Sequence, residues 1–522
     1  AAATHVVRVG ISPPLRAQNL LSRGIMQSGL TAASGQVLSA AGLRGKGQVV
    51  GMADTGLDEQ SCYFHDDAKG LVPRTTAETA YFDSTRRKVV QYVSYSGSQG
   101  DSVRGHGSHV AGTVAGYCPL SNPAAPVANQ WEGMAPDAKL AFFDIGKPGS
   151  NALYVPFDLC TDMFPASYKA GANLFSSSWG GGYWYDNYAR EADRFMFLNP
   201  SFLALFAAGN DGRARGILSP SLCKNGFAVA SVSHIDASVA RKSSFSSTGP
   251  TQDGRMKPEA AAPGEDVTSA AALDERNDGA SCERVRKSGT SMATPAMAGA
   301  AALLRQYFED ANFWAATCDV SFGRTCARGG GEGEEGSREG THGPFGGDGG
   351  RQLWGSTVKS ALVHAARPIA FARSTPPPDM ALGYGQTVLS RILTVPANAQ
   401  QPATWPTAAQ RPLPTQRLYC DQLLLTSFTQ VVYTLEVTDP SVPLRATIAW
   451  ADPPAEAFSA RLLLHDVDLQ LEPPEPHVSS MQPSAKTEEG SVAEPAPAPA
   501  ACVYLGNGGQ ECLPLGSAAS SK

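Results

Sequence analysis

Residues 49–56 read V-V-G-M-A-D-T-G: a short apolar run that stops on a carboxylate and a turn. A run of this length, rich in Val and bounded by Gly, has the signature of a strand buried on both faces. Further runs of the same kind recur at Lys139–Ile145, Ala172–Ser178, Phe202–Ala208 and Phe227–Val232. Between them lie stretches of helical character at His106–Gly116, Pro165–Gly171, Tyr188–Leu198 and Thr290–Phe308, with Thr357–Arg367 further on and a short one at Asn19–Met26. Continuous apolar strands alternating with helices predict a parallel sheet covered on both faces.

The chain has 522 residues, 42% hydrophobic and 17% charged, with a net charge of −6. At roughly 150 residues per domain, this is one large domain plus a smaller one. Global disorder is excluded by the apolar fraction. A basic footprint for nucleic acid is absent, so no nucleic-acid partner is expected. No stretch approaches the length of a membrane span. Residue 1 is Ala and no signal peptide is visible, which reads as a processed chain or a fragment. Ten cysteines, none in a C-x-x-C pair, argue against a zinc ribbon and for an oxidising compartment. Of the pairs Cys502/Cys512 and Cys318/Cys326, each flanking a short segment, at least one is the expected local disulfide.

Three segments carry the chemistry. D-T-G places Asp54 at the carboxyl end of its strand; G-H-G-S-H-V-A-G-T places His106 at a helix start; S-G-T-S-M-A-T-P places Ser291 at another. Ligands in open α/β sheets sit beyond the carboxyl ends of the strands, so all three can meet on one edge. A serine hydroxyl needs a base to become a nucleophile; an imidazole supplies it, and a buried carboxylate fixes the tautomer. The helix start beside Ser291 offers backbone N–H groups to an oxyanion. A fourth segment, F-A-A-G-N, ends a strand on Asn210, whose amide is the candidate second oxyanion donor.

In this order and completeness the motifs D-T-G, H-G-x-H-V-A-G-T, A-A-G-N and G-T-S-M-A-T-P resemble the subtilisin-like serine proteases, the subtilases, over roughly Gly47–Leu304. Ser108 stands where the family usually has Thr. G-M-A-P at 133–136, S-S-W-G-G at 177–181, F-S-S-T-G-P at 245–250 and K-P-E-A-A-A-P-G at 257–264 extend the match. The resemblance implies a subtilisin-like three-layer α/β fold around a parallel sheet. It implies catalytic roles for Asp54, His106 and Ser291, and an oxyanion role for Asn210. It also implies a substrate cleft along Ser178, Trp179 and Gly180, with Ala208 and Gly209, for protein or peptide substrates; Trp179 is either a wall of that cleft or a core aromatic. No cofactor is needed for the chemistry, and structural calcium is allowed by the family. Secretion or an endomembrane lumen is the implied location; the oligomeric state is left open.

Beyond Ile392 the helical pattern fades. Val431–Val437, Leu444–Trp450 and Ala460–Leu471 read as strands, with proline-marked turns between them. P-L-R-A-T-I-A-W-A-D-P-P from Pro443, L-L-L-H-D-V-D-L from Leu462 and V-Y-L-G-N at 503–507 resemble the C-terminal jelly-roll-like β-sandwich of one subtilase branch. The expected organisation is an N-terminal segment 1–46, a catalytic domain 47–391 with a Gly/Glu-rich insertion at 328–351, and an antiparallel β-sandwich at 392–522. The resemblance would have that sandwich continue past Lys522; residues 473–501 are a low-complexity insertion. Asp466 and Asp468 share a strand face in this reading and are either calcium ligands or strand-turn caps. His109, three residues from His106, lacks the H-E-x-x-H spacing of a zinc site and reads as structural. Two functions of different class remain: an active endopeptidase, and a non-catalytic binding protein on the same fold. The intact set of candidate triad residues favours the first.

Overall fold

The computed structural model describes residues 18–31, 35–98, 100–101, 105–118, 131–150, 152–233, 240–272, 282–310, 313, 353–369, 378–393, 430, 432, 445–470, 500–504 and 510–514. Its strands are β1 (Val49–Asp54), β2 (Arg74–Thr75), β3 (Val89–Ser94), β4 (Lys139–Asp144), β5 (Ala172–Ser177), β6 (Leu203–Ala207), β7 (Phe227–Val232), β8 (Ala260–Pro263), β9 (Val267–Ala270), β10 (Arg284–Lys287), β11 (Ala366–Arg367), β12 (Gln386–Thr387), β13 (Ala500–Tyr504) and β14 (Gln510–Pro514). The helices are α1 (Gln18–Ser28), α2 (Val37–Ala40), α3 (His106–Ala115), α4 (Leu159–Asp162), α5 (Phe164–Lys169), α6 (Asn187–Leu198), α7 (Thr290–Glu309) and α8 (Gly355–His364).

Ten strands form one sheet in the order β11-β12-β8-β7-β6-β5-β1-β4-β3-β2. Every pairing in it is parallel except β11 with β12. The predicted α/β fold with a mostly parallel sheet is therefore present. After β1 the chain crosses to the edge at β2 and builds back inward through β3 and β4 on one side, then restarts with β5 on the other. That reversal is a topological switch point, where such sheets form a crevice. Asp54 ends β1 in register with Asp144 of β4, and Ser178 follows β5 directly, so both flank the crevice.

The five predicted strands are found within a residue or two of their expected ends. Strand β3 escapes the sequence reading because Gln91 and Tyr92 interrupt its apolar run. Gln91 is nevertheless buried, donating through Nε2 to the Ala166 carbonyl at 3.0 Å. The helix expected at Thr357–Arg367 ends at His364: the chain turns at Ala365 and Ala366–Arg367 become an antiparallel edge strand.

Helix α7 is the central pillar. Residues Thr290 to Phe308 are all buried, which fits its run of Ala, Gly and Met: small side chains let a helix lie close against sheet and neighbours on every side. Within the 1–46 segment, α1 buries Ile25 and Met26 in the core, and Arg23 is buried beside Glu132 at 3.6 Å.

The expected strands at Leu444–Trp450 and Ala460–Leu471 are not formed: residues 445–470 carry no strand. The alternation is real but inverted. Arg445 and Thr447 face the catalytic body, where Arg445 donates to the His364 carbonyl at 2.9 Å and Thr447 pairs with His364 Nδ1 at 2.9 Å. Ala446 and Ile448 face outward, Ile448 with 39% exposure. The polar side is bound by hydrogen bonds to the body, so the backbone is held without ladder partners. Asp466 and Asp468 consequently share no strand face and are exposed. Strands β13 and β14 form an antiparallel hairpin with Cys502 opposite Cys512. Val431–Val437 and the stretch 473–499 lie outside the described residues or nearly so, as do the 328–351 insertion and Cys318 and Cys326.

Candidate active site

Asp54 is 1% exposed, and its Oδ1 accepts from Thr55 N at 2.8 Å and lies 2.6 Å from His106 Nδ1. A nitrogen this close to a buried carboxylate carries the proton, which leaves Nε2 free to act as a base. Burial disfavours the imidazolium, but the charge of Asp54 and its hydrogen bond outweigh it, and the His106 pKa is raised above its ordinary value. Asp101 adds to that effect at longer range.

His106 opens α3 after Gly105, which caps it at φ 52°, a left-handed conformation suited to Gly. The next residue, Gly107, lies so close to the loop after β1 that a Cβ there would come within 2.0 Å of the Gly56 carbonyl oxygen. The G-H-G spacing thus lets the histidine helix press on the aspartate strand. Ser108, in place of the family's usual Thr, keeps the needed hydroxyl: its Oγ accepts from Asp58 N at 2.9 Å.

Asp101 was not singled out by the sequence reading. It accepts from Thr55 Oγ1 at 3.0 Å and Ser108 N at 2.7 Å, joining the loop after Asp54 to the start of the histidine helix. Burial pushes its carboxyl up to about 7, against the hydrogen bonds it accepts. A carboxylate just upstream of G-H-G, in G-D-S-V-R-G-H, was the available signal. His109 is fully buried, with Nε2 2.9 Å from the Val267 carbonyl and its pKa pushed down to about 3 by burial; it is neutral and structural, as expected.

Ser291 sits in the first turn of α7, 9% exposed. Pro295 lies four residues later and has no N–H, so the Ser291 carbonyl lacks its helical partner. Ser178 Oγ donates to that carbonyl at 2.9 Å, and Ser291 Oγ donates back to the Ser178 carbonyl at 3.0 Å. The two segments are thereby pinned together. Among the described residues no hydrogen bond joins Ser291 Oγ to His106.

Asn210 Oδ1 accepts from Thr290 N at 2.8 Å and Thr290 Oγ1 at 3.0 Å. Because a backbone N–H can only donate, the oxygen must face Thr290, and the planar amide turns Nδ2 away from it. Trp179, expected either in the core or on the cleft wall, is half-buried and donates through Nε1 to the Ala53 carbonyl at 3.0 Å, buttressing the residue before Asp54. Gly180 is exposed, and Ala208 and Gly209 run up to Asn210.

Among the described residues a disulfide joins Cys62 to Cys282 across 220 residues, which sequence spacing did not suggest. The Cys118 sulfur lies within 4.8 Å of both. Each of the three comes from a different motif-bearing stretch: after β1, after α3, and before α7. A second group, Asp158, Cys160 and Glu191, also converges, but Glu191 and Asp158 already face Arg194 at 3.2 Å and 3.9 Å. Neither group is the all-oxygen shell that calcium prefers. Among the described residues no helix is long and apolar enough to cross a membrane.

Residues 45–385 match the family profile Peptidase_S8, the Subtilase family. The Dictyostelium discoideum serine protease/ABC transporter B family protein tagD is 31% identical over 354 residues, covering 51% of this chain and 19% of its own length. The related tagA is 24% identical over 523 residues, covering 82% of this chain and 26% of its own. Serine protease AprX of Bacillus subtilis is 29% identical over 289 residues, covering 51% of this chain and 59% of its own. The chain thus spans about a fifth to a quarter of the Dictyostelium relatives' length. Among solved structures, Sphericase is 20% identical with a TM-score of 0.42, covering 66% of this chain and 92% of its own. With the family profile matched from ahead of β1 to the last residue before β12, the chain belongs to the subtilase family.

Proposed function

We propose that this chain is a serine endopeptidase acting through Asp54, His106 and Ser291. The single observation that carries the reading is the 2.6 Å contact between Asp54 and His106 at the switch-point crevice that Ser291 also borders. Ser291 Oγ, which donates to the Ser178 carbonyl in the free protein, rotates about χ1 to His106 Nε2 when substrate arrives; such bonds often tighten only in the complex. His106 takes the proton as Oγ attacks the scissile carbonyl, and Asp54 stabilises the imidazolium. The oxyanion receives Asn210 Nδ2 and a backbone N–H of the α7 start. The acyl-enzyme forms as the imidazolium passes its proton to the leaving amine; water, activated by the same imidazole, releases it. Protein or peptide substrate lies as an added strand along Ser178–Gly180, with Ala208 and Gly209 opposite.

Every group in this scheme belongs to the chain, so the chemistry asks for no cofactor. Structural calcium carries no step in it; loss of melting temperature on chelation would reveal such an ion. The Cys62–Cys282 bond supports an oxidising compartment, secreted or endomembrane. We read residues 47–391 as the catalytic domain and 392–522 as part of a jelly-roll-like β-sandwich. Support for the latter is the outward-facing Ala446 and Ile448, an apolar side that further strands would cover.

A serine-directed fluorophosphonate tests the reading. The intact chain should be labelled on Ser291, and Ser291→Ala or His106→Ala should not be. A folded wild type that resists the probe and cleaves no protein substrate would leave the non-catalytic alternative.

A further inference from the structure

Three cysteines meet at the far end of the histidine helix. Cys62 and Cys282 share a disulfide, with their Cα atoms 5.1 Å apart, and Cys118 is a buried thiol whose sulfur lies within 4.8 Å of both of theirs. Backbone packing brings the three together, whichever pair is bonded. Tyr117 N donates to the Tyr63 carbonyl at 3.4 Å, so the residue after Cys62 is joined to the residue before Cys118. A Cβ placed on Gly116 would lie 3.1 Å from Tyr63 Cδ1. One placed on Gly112, a turn earlier, would lie 2.5 Å from Ser269 Oγ and 3.0 Å from Ala270 Cβ. The two glycines thus let the end of α3 seat against Tyr63 and against β9. His109 Nε2, 2.9 Å from the Val267 carbonyl, ties the same helix to β9 a second time. Strand β9 pairs with β10, and Ala271 N donates to the Glu283 carbonyl at 3.0 Å, so this hairpin carries Cys282 to the helix. With the backbones held in this way, a change of sulfur partner asks only for rotation about side-chain torsions.

A thiol beside a disulfide has one reaction open to it that needs neither oxidant nor reductant. Cys118 gives up its proton and its thiolate attacks one sulfur of the bond; the other sulfur leaves with the bonding electron pair and takes up a proton. One S–S bond forms, one breaks, and one thiol is left at the end as at the start. The surroundings decide which sulfur leaves. A thiolate is disfavoured by apolar burial, so the more solvated sulfur is the better leaving group. Cys282 is half-buried, whereas Cys62 is 8% exposed and lies in the hydrophobic core. Attack therefore falls on Cys62 and Cys282 leaves. The new bond joins the two segments that the Tyr117–Tyr63 hydrogen bond already lays side by side.

We propose that Cys118 is the attacking thiol of an internal thiol–disulfide exchange site. Its substrate is the chain's own Cys62–Cys282 bond, and its product is a Cys62–Cys118 bond with Cys282 as the thiol. A tie between the stretch after β1 and the stretch before α7 is traded for one that closes over the histidine helix alone. Cys282 stands in the stretch that leads through β10 to Ser291, so the exchange unties the serine side of the molecule. The site does not rest on the peptidase reading, since no step in it uses Ser291 or His106.

The test uses the full chain as Ser291→Ala, so that no peptide bond is cut during incubation. The protein is held at mildly alkaline pH without reductant, alkylated in its native state with N-ethylmaleimide, and mapped by mass spectrometry without reduction. A Cys62–Cys118 peptide should appear together with alkylated Cys282. Its share should grow with incubation and be independent of protein concentration, as an intramolecular step requires. Cys118→Ser and Cys118→Ala should both abolish alkylation of Cys282 and keep the Cys62–Cys282 bond. In Cys282→Ser, oxidised glutathione should drive Cys62 and Cys118 into a disulfide with each other. Alkylation confined to Cys118, with Cys62–Cys282 intact at every incubation time, overturns the proposal. So does undiminished alkylation of Cys282 in both Cys118 variants, or recovery of Cys62 and Cys118 as two thiols in Cys282→Ser. A Cys118–Cys282 bond with alkylated Cys62 overturns it as well, because the wrong sulfur has then left. Each of these results leaves the fluorophosphonate test of the peptidase reading untouched.

Discussion

Strand β7 and the segment Arg445–Trp450 are equally long and equally rich in β-forming residues, yet one is sheet and the other is not. Every residue of β7 is buried, flanked on both sides by parallel neighbours. In Arg445–Trp450 Arg445 and Thr447 point to the body while Ala446 and Ile448 point outward. An unbroken apolar run has only one way to be satisfied, which is burial on both faces. An alternating run has two, and its pattern does not say which side meets the rest of the molecule. The central sheet is held by packing throughout; the 445–470 segment puts only Ala455 and Leu462 into the core and is otherwise held by a few buried polar contacts, chiefly around Asp452. That carboxylate receives Lys224 Nζ and also accepts Leu464 N at 3.0 Å and His465 N at 2.7 Å, while Asp452 N donates to Asn225 Oδ1 at 2.8 Å.

The contrast can be broken at either end. Ser291→Ala removes one hydroxyl from the packed body. It should abolish turnover, by on the order of 10⁶ in kcat, a size set by a related subtilisin, and leave the melting curve nearly unchanged. Asp452→Ala should do the reverse. Removing one partner of a buried ion pair costs about 3–5 kcal/mol, so hydrogen exchange at residues 450–465 should accelerate while amides of β5–β7 keep their protection. Equal acceleration in both would mean that the segment is integral to the core. Asn210→Ala should lower kcat by about 10²–10³ with KM nearly constant, since its bond to the oxyanion matters only in the transition state. A two-fold drop would remove it from the site. The smallest effect concerns Asp101. Its folded pKa, pushed up to about 7, lies above the unfolded value near 3.9. Its contribution to stability is therefore full below about pH 4 and is lost as pH rises through about 7. Urea midpoints at pH 5 and pH 8.5 should differ less in Asp101→Asn than in wild type; parallel behaviour would show that Asp101 does not titrate in this range.

The same contrast explains what is legible in the sequence alone. Asp54, His106, Ser291 and Asn210 stand in motifs whose spacing is dictated by strand ends and helix starts, and the structure gathers them where the sheet reverses. The five long strands are legible because continuous burial leaves continuous apolar sequence. Gln91 hides β3, since a glutamine buried against a helix carbonyl looks like a surface residue in one dimension. The three-sulfur group, with one cysteine each from the stretches after β1, after α3 and before α7, is invisible for another reason. It owes its position to contacts between segments far apart in the chain, and no local period encodes that.

The long disulfide has a consequence for a molecule of this class. Cys62 and Cys282 close a covalent ring that contains His106 and Asn210, while Asp54 and Ser291 lie on the two tails outside it. Under the proposed activity, each molecule is exposed to its own kind. A single cut anywhere between residues 63 and 281 opens the ring without parting the pieces: the fragment carrying Asp54 stays tied through sulfur to the fragment carrying Ser291. Such a nicked molecule is still one molecule. It keeps both halves of its active site at high effective concentration, and it becomes two chains only when that bond is broken.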